Sequence, residues 1–438
     1  MTSFDRFERS LPALLDELSV AQSPDYIEDI LARTVATRQR PGWAFPERWL
    51  PMSALTRRLA TVPRVQWRLG VALALLVVAG LIAALVAGSF ATRRPAPFGP
   101  AVNGQIVFID PAGRVVAGDP VSGKSSVLVA EPGNGRPVYS QDGTRLAFTR
   151  AATNGLVNIM VAAADGTHAI TLTPKPIAVP GYVGWSPSGD SLLISDASGT
   201  VNVFSTSRAA EPTTLSGKPG LTSLEIGYSG YNDRAAHVFR PPNGDELLFV
   251  NHGRTTNLVA VKPDGTGLRT LLDAAKSPLG YGNLKAPQWS PDGSQVVVMV
   301  EVPGPRETWH LYVMNADGTN VHPLSALSTN LLADQGSPMW SPDGKRIAFQ
   351  HWLTHTADDG EDFNPIGIVD VATGTLHDVG PTSTNGFVSW DWSPDGTSIL
   401  EVPGDGTGDI LITDAATGLW KTAPWRADQP ISWQRTAS

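Results

Sequence analysis

Beyond about residue 103, apolar positions fall in short runs separated by turn residues, and one arrangement recurs along the chain. An aromatic residue is followed by Ser-Pro-Asp-Gly or a close relative, and then by a β-rich run. The strict copies are Trp289-Ser290-Pro291-Asp292-Gly293, Trp340-Ser341-Pro342-Asp343-Gly344 and Trp392-Ser393-Pro394-Asp395-Gly396. Looser copies are Tyr139-Ser140-Gln141-Asp142-Gly143, Trp185-Ser186-Pro187-Ser188-Gly189 and Phe239-Arg240-Pro241-Pro242-Asn243-Gly244. The aromatics stand at 139, 185, 239, 289, 340 and 392, giving steps of 46, 54, 50, 51 and 52 residues. Pro presets φ, Asp bonds to nearby backbone and Gly accepts positive φ, so each copy predicts a tight turn. The aromatic before it predicts a large core anchor.

The rest of each unit follows the same reading. After the turn comes a second strand, as in Arg145-Leu146-Ala147-Phe148, Gln295-Val296-Val297-Val298-Met299 and Arg346-Ile347-Ala348-Phe349. A third strand, such as Leu258-Val259-Ala260-Val261 or Leu311-Tyr312-Val313-Met314, ends in a second turn at Asp165-Gly166, Asp264-Gly265, Asp317-Gly318, Thr373-Gly374 or Thr417-Gly418. A short fourth strand such as Ala169-Ile170-Thr171-Leu172 closes the unit. Four short antiparallel strands at this spacing are the pattern of a propeller blade. A single blade cannot bury both faces, so blades must stack around an axis.

The ends of the repeat predict how the ring closes. The first unit begins at its second strand, Gln105-Ile106-Val107-Phe108-Ile109, and lacks a leading aromatic strand. The missing strand stands at the other end, in Pro430-Ile431-Ser432-Trp433-Gln434-Arg435. Six complete units and one shared unit make seven, and sharing removes the open sheet edges. The expected fold over 103–438 is therefore all-β, a seven-bladed β-propeller of four-stranded antiparallel blades. The Trp-Ser-Pro-Asp-Gly repeat, with Leu311-Tyr312-Val313-Met314-Asn315 leading into Ala316-Asp317-Gly318-Thr319, resembles the TolB-like (WD-repeat-like) propeller family.

The N-terminal quarter has a different pattern. Leu69 to Ala91 is a run of 23 uncharged residues with Ser89 as its one polar side chain. Such a run, within a helix over 66–91, is long enough to cross the roughly 30 Å hydrocarbon core of a bilayer. It follows 68 polar residues, which is too far from the N-terminus for a cleaved signal peptide. Arg48, Arg57, Arg58, Arg64 and Arg68 precede it, against Arg93 and Arg94 just after it. That bias predicts a cytoplasmic N-terminus and an extracytoplasmic propeller.

Residues 1–62 are expected to be a cytoplasmic helical segment, and 92–102 a Pro-rich linker. Phe4, Phe7, Leu11, Leu14, Leu15 and Leu18 form one apolar stripe. Ser23-Pro24 with Asp25 and Glu28 predicts a second helix start, and Pro41 its end. A short helical segment before one span, with a sensor-like domain outside, resembles the layout of transmembrane anti-sigma factors. The resemblance is architectural: the zinc-binding His and Cys of many such proteins are missing, because residues 1–68 contain neither.

Composition narrows the chemistry. The formal net charge of −8 gives no global sign of nucleic-acid binding. The absence of Cys excludes disulfides, thiolate catalysis and Cys-ligated metals. No Gly-x-Ser-x-Gly elbow occurs; the nearest string, Gly227-Tyr228-Ser229-Gly230, has the wrong spacing. His351 and His355, with Asp358, Asp359, Glu361 and Asp362, are the one group that invites a metal reading. The segment His351–Phe363 reads instead as a solvated insertion between the second and third strands of blade six. The other break in the repeat, Lys218–Arg234 with Tyr228, Tyr231 and Asn232, is placed between blades three and four.

No catalytic, cofactor-binding or metal residue is assigned, and no cofactor is expected. The expected function is a membrane-anchored extracytoplasmic binding or sensing protein that is not an enzyme. Its expected ligand outside is a protein, peptide or glycan, bound at loops that break the repeat. The alternatives are an anti-sigma-like regulator in which residues 1–62 hold a cytoplasmic protein, and a propeller hydrolase or lyase.

Overall fold

The computed structural model describes residues 99–196, 199–207, 211–226, 238–253, 255–274, 283–302, 308–324, 333–353, 364–383, 387–404, 407–427 and 431–437. The expected helices of 1–62, the expected span at 66–91 and His355 with its neighbouring acids lie outside them. Among the described residues no helix is long and apolar enough to cross a membrane.

The strands of the described residues form seven four-stranded antiparallel sheets. The first strands of blades 2 to 7 are Asn134–Tyr139, Pro180–Trp185, Leu224–Glu225, Leu284–Trp289, Ala333–Trp340 and Phe387–Trp392. Blade 1 takes its first strand from the C-terminus: Ser432–Thr436 pairs with Val102–Ile109, matching Val102 to Thr436 and Ile106 to Trp433. The shared blade expected from the sequence is thus formed. The first strands lie innermost, since residues from six of the blades line one axial cavity.

Burial is concentrated between blades. Seven apolar clusters fill the seven junctions, as in the one uniting Leu248, Val250 and Leu258 of blade 4 with Trp289, Val296 and Val298 of blade 5. The repeated Trp289, Trp340 and Trp392 are buried there. Trp185 Nε1 donates to the carbonyl of Val138 and Trp392 Nε1 to that of Met339, each in the preceding blade and each at 3.2 Å.

The Ser-Pro-Asp-Gly turn is held by its own side chains. Ser290 Oγ donates to Asp292 Oδ1 at 2.5 Å and accepts the Gln295 amide at 3.0 Å, which allows a serine to be buried. Ser341 with Asp343 and Ser393 with Asp395 repeat the arrangement at 2.6 Å. Burial pushes the Asp292 carboxyl up, but hydrogen bonds from Ser290 and Ser294 outweigh it and hold the group below its usual value.

Proline inside first strands is accommodated by bulges. Arg136, Ala286 and Ser337, each followed by Pro, have φ of 47°, 47° and 51°. The ladder shifts register at the same places. A bulge is where a strand tolerates a residue with no N–H to donate.

Two expectations need correction. The segment Lys218–Arg234 is not simply a connector between blades 3 and 4, because Leu224 and Glu225 pair with Asn251 and Val250 as part of blade 4. Phe239 makes an isolated bridge to Leu247 farther down the same second strand. The first strand of blade 4 is therefore split, with its upper piece held by Asn251, which accepts from the Thr222 amide and donates to the Gly220 carbonyl.

The second correction concerns His351, which belongs to the strand Arg346–Leu353 and is buried instead of opening a solvated insertion. It continues the face carrying Ile347 and Phe349, with its ring edge-on to Phe349 at 5.7 Å. Asp378 supplies the polar contact that its burial requires.

Candidate functional site: the upper junction between blades 5 and 6

Strand direction divides the propeller into two faces. First-to-second and third-to-fourth strand turns all lie at one end of the axis, here the turn face. The second-to-third connections, and those joining successive blades, lie at the opposite end, the connection face. In chain order, 303–307, 325–332 and 354–363 join strand ends on the connection face of blades 5 and 6, the last of them within the His351–Phe363 break in the repeat.

The junction between blades 5 and 6 brings together residues from both blades near this end. Lys285, on the first strand of blade 5, holds its ammonium 4.2 Å from the ring centre of Trp309 on the third strand. Asn283 Nδ2 donates to Glu301 Oε2 on the neighbouring strand. Across the junction, Gln335 of blade 6 accepts the Leu311 amide of blade 5 at 3.0 Å. Gln335 is directly opposite His351 in the ladder, so both side chains share the face toward blade 5.

His351 is the most chemically specified member. Its Nδ1 lies 3.0 Å from Asp378 Oδ1, and because an ionised carboxylate only accepts, Nδ1 carries the proton. In the neutral ring Nε2 is then the acceptor; it is buried, with no hydrogen-bond partner among the described residues. A carboxylate-backed imidazole of this kind is suited to receive a hydrogen bond or a proton. Among the described residues, no group of three His, Asp or Glu is placed to hold a metal ion.

The other end of the axis has a different character. A cavity of about 90 Å³ opens at the turn face, bordered by Trp185, Trp340, Trp392 and Trp433 and by Asp391 and Arg435. Arg435 donates from Nε to the Gln141 carbonyl at 3.0 Å and from Nη2 to the Gly99 carbonyl at 2.6 Å. Burial pulls its guanidinium down to about 10, with the Asp391 carboxylate opposing. These contacts tie the incoming chain to the closing strand. Ala101 donates to the Pro394 carbonyl at 2.8 Å, and Asn103 Nδ2 to Asp395 Oδ2 at 2.8 Å, which adds blade 7 to the clamp.

Of the site residues considered from sequence, His351 is the one among the described residues that stands in this junction. Sequence reasoning missed Lys285, Trp309, Gln335 and Asp378, which are far apart in the chain. The legible signal was the His351–Phe363 break in the repeat, which begins on a strand of blade 6.

Fold and junction together define a closed seven-bladed β-propeller with four-stranded antiparallel blades. The chain is similar in structure to an oligogalacturonate lyase in complex with manganese, at 15% identity and a TM-score of 0.51, over 76% of this chain and 86% of that one. It is also similar to TolB from Acinetobacter baumannii, at 13% identity and a TM-score of 0.45, over 77% and 81% of the two chains. At such identities the likeness concerns the fold. No family model matches the chain.

Proposed function

We propose that the protein is a membrane-anchored, extracytoplasmic binding or sensing module that takes a protein, peptide or glycan at its connection face and does not turn it over. The observation that carries this reading is the opposition of the two faces. The chain enters the ring at Gly99 on the turn face, while the sequence that breaks the repeat is attached at the opposite end. Variable segments on a rigid scaffold suit recognition. Seven residues separate the apolar run ending at Ala91 from Gly99 on the turn face.

The anti-sigma-like alternative draws support from the clamp on the incoming chain. Arg435 and Asp395 hold residues 99–103 against the closing blades, so a change in the ring bears directly on the segment leading to the N-terminus.

Protease added to intact cells tests the topology. The expected result is digestion of the propeller with an N-terminal tag protected; a protected propeller overturns the orientation. Extraction of the full chain by high salt without detergent overturns the anchor. Capture of a cytoplasmic protein by residues 1–62 would favour the regulator.

A further inference from the structure

The exposed apolar side chains are unevenly distributed. Among the described residues eight large hydrophobic side chains are exposed, and Val102, Val121, Val127, Leu419 and Trp420, five of the eight, belong to blades 1 and 7. The three most exposed are Val121 at 92%, Leu419 at 72% and Trp420 at 53%. Val121 lies in the third-to-fourth strand turn of blade 1, and Leu419 leads from the corresponding turn of blade 7 into Trp420 at the start of its outer strand. Both turns belong to the turn face, on the two blades that clamp the incoming chain.

The polar groups beside them are ordered in a consistent way. An exposed lysine follows each apolar site, Lys124 after Val121 and Lys421 after Trp420. The turn carboxylates are engaged locally. Asp119 accepts from the Val121 amide and from Ser122 Oγ, and Asp414 from the Ala416 and Thr417 amides and Thr417 Oγ1. Each turn thus presents exposed apolar side chains beside a lysine, the pattern that suits a headgroup boundary.

We propose that this edge of the turn face, at blades 1 and 7, docks on the surface of a lipid bilayer, with Trp420, Leu419 and Val121 entering the headgroup boundary. The occupant follows from where the chain leads: seven residues separate Ala91 from Gly99, and an extended chain spans about 3.5 Å per residue. The inference rests on the anchored reading above. Docking fixes the propeller in one orientation and holds the junction between blades 5 and 6 on the far side.

The absence of Cys permits a clean test. Residues 95–438 contain all seven junction cores and both halves of the closing blade, so the fragment carries its whole fold. Val121→Cys and, as a control on the connection face, Val179→Cys are labelled with a polarity-sensitive thiol dye. Vesicles of mixed phosphatidylethanolamine and phosphatidylglycerol are added. The label at 121 is expected to shift to the blue and become protected from an aqueous quencher, with the label at 179 unchanged. The pair Leu419→Ser and Trp420→Ser, at exposed positions, is expected to weaken vesicle partitioning about tenfold or more while leaving the melting temperature unchanged. No response at 121, an equal response at both labels, or self-association in sedimentation without a vesicle effect overturns the proposal. The fragment lacks 69–91, so this result is separable from the cell-surface protease test.

Discussion

The guanidinium of Arg346 in blade 6 lies over the indole of Trp392 in blade 7, 5.0 Å from the ring centre. The same arginine donates from Nη2 to the carbonyl of Gly396, the glycine of the turn that follows the indole, at 2.6 Å. Arg240 repeats both contacts between blades 4 and 5, over Trp289 at 5.1 Å and to the Gly293 carbonyl at 3.2 Å. Arg145 reaches the Gly189 carbonyl, and Gln434 that of Gly143. In these pairs a long polar side chain of one blade reads the tight turn of the next.

Arg346→Ala should therefore weaken the junction between blades 6 and 7 by about 1–3 kcal/mol, the loss of a cation–π contact and a charged hydrogen bond. Trp392→Ala should cost more, roughly 3–5 kcal/mol, because it also removes buried aromatic area. Denaturant unfolding of both single variants and the double variant checks the coupling. Contacting residues should give a double-variant loss that departs from the sum by about 0.5–3 kcal/mol. Strict additivity would show that the stacked pair carries no shared energy.

Two glycines in equivalent turns separate backbone strain from close packing. Gly189 and Gly293 have φ of 73° and 70°. A Cβ on Gly189 would meet nothing within 4 Å, whereas one on Gly293 would lie 2.1 Å from the Pro241 carbonyl oxygen in blade 4. Gly189→Ala should cost about 1–2 kcal/mol from the left-handed backbone alone. Gly293→Ala must also push two blades apart and should cost clearly more, as read from paired thermal melts.

Glu401, on the second strand of blade 7, is wholly buried, and among the described residues no donor meets hydrogen-bond geometry at either carboxylate oxygen. Burial pushes its carboxyl up to about 8, with the Thr413 hydroxyl opposing. The folded state thus holds a proton that the unfolded state releases near the ordinary glutamate value of 4.5. Stability from this group is full below that value, declines as pH rises toward 8 and stays low above it. Glu401→Gln should flatten the decline, so that the variant melts above the parent at pH 9 and close to it at pH 4. A parallel offset across the range would assign the effect to packing.

Removing residues 429–438 strips blade 1 of its first strand and exposes the edges that Val102–Ile109 and its neighbours now share with it. The truncated propeller is expected to aggregate or to lose cooperative unfolding, far beyond the effect of trimming a frayed end. Melting within a degree or two of the parent would mean that the ring holds without its closing strand.

Local chemistry and periodicity carried most of the architecture. Trp289, Trp340 and Trp392 before their Ser-Pro-Asp-Gly turns marked the blade spacing, and Ile431-Ser432-Trp433 at the far end revealed the shared blade, because turn formation and strand alternation depend on adjacent residues. The junction site was not legible in this way. Lys285 and Trp309 come from different strands, and His351 meets Asp378 through blade 6 pairing, so register alone brings each pair together. His351 looked like part of a polar insertion because His355 and four acids follow it closely. Only the tertiary structure decided that its ring turns inward, where Phe349 and Asp378 compensate for the water it loses. The split first strand of blade 4 was hidden for a related reason: Leu224 and Phe239 are fifteen residues apart in sequence, yet both pair with the strand Leu247–His252 or its end. Sequence by itself determined the repeat and the number of blades, because each is encoded within one unit. The junction site and the split strand depend on contacts between units, which only the closed ring supplies.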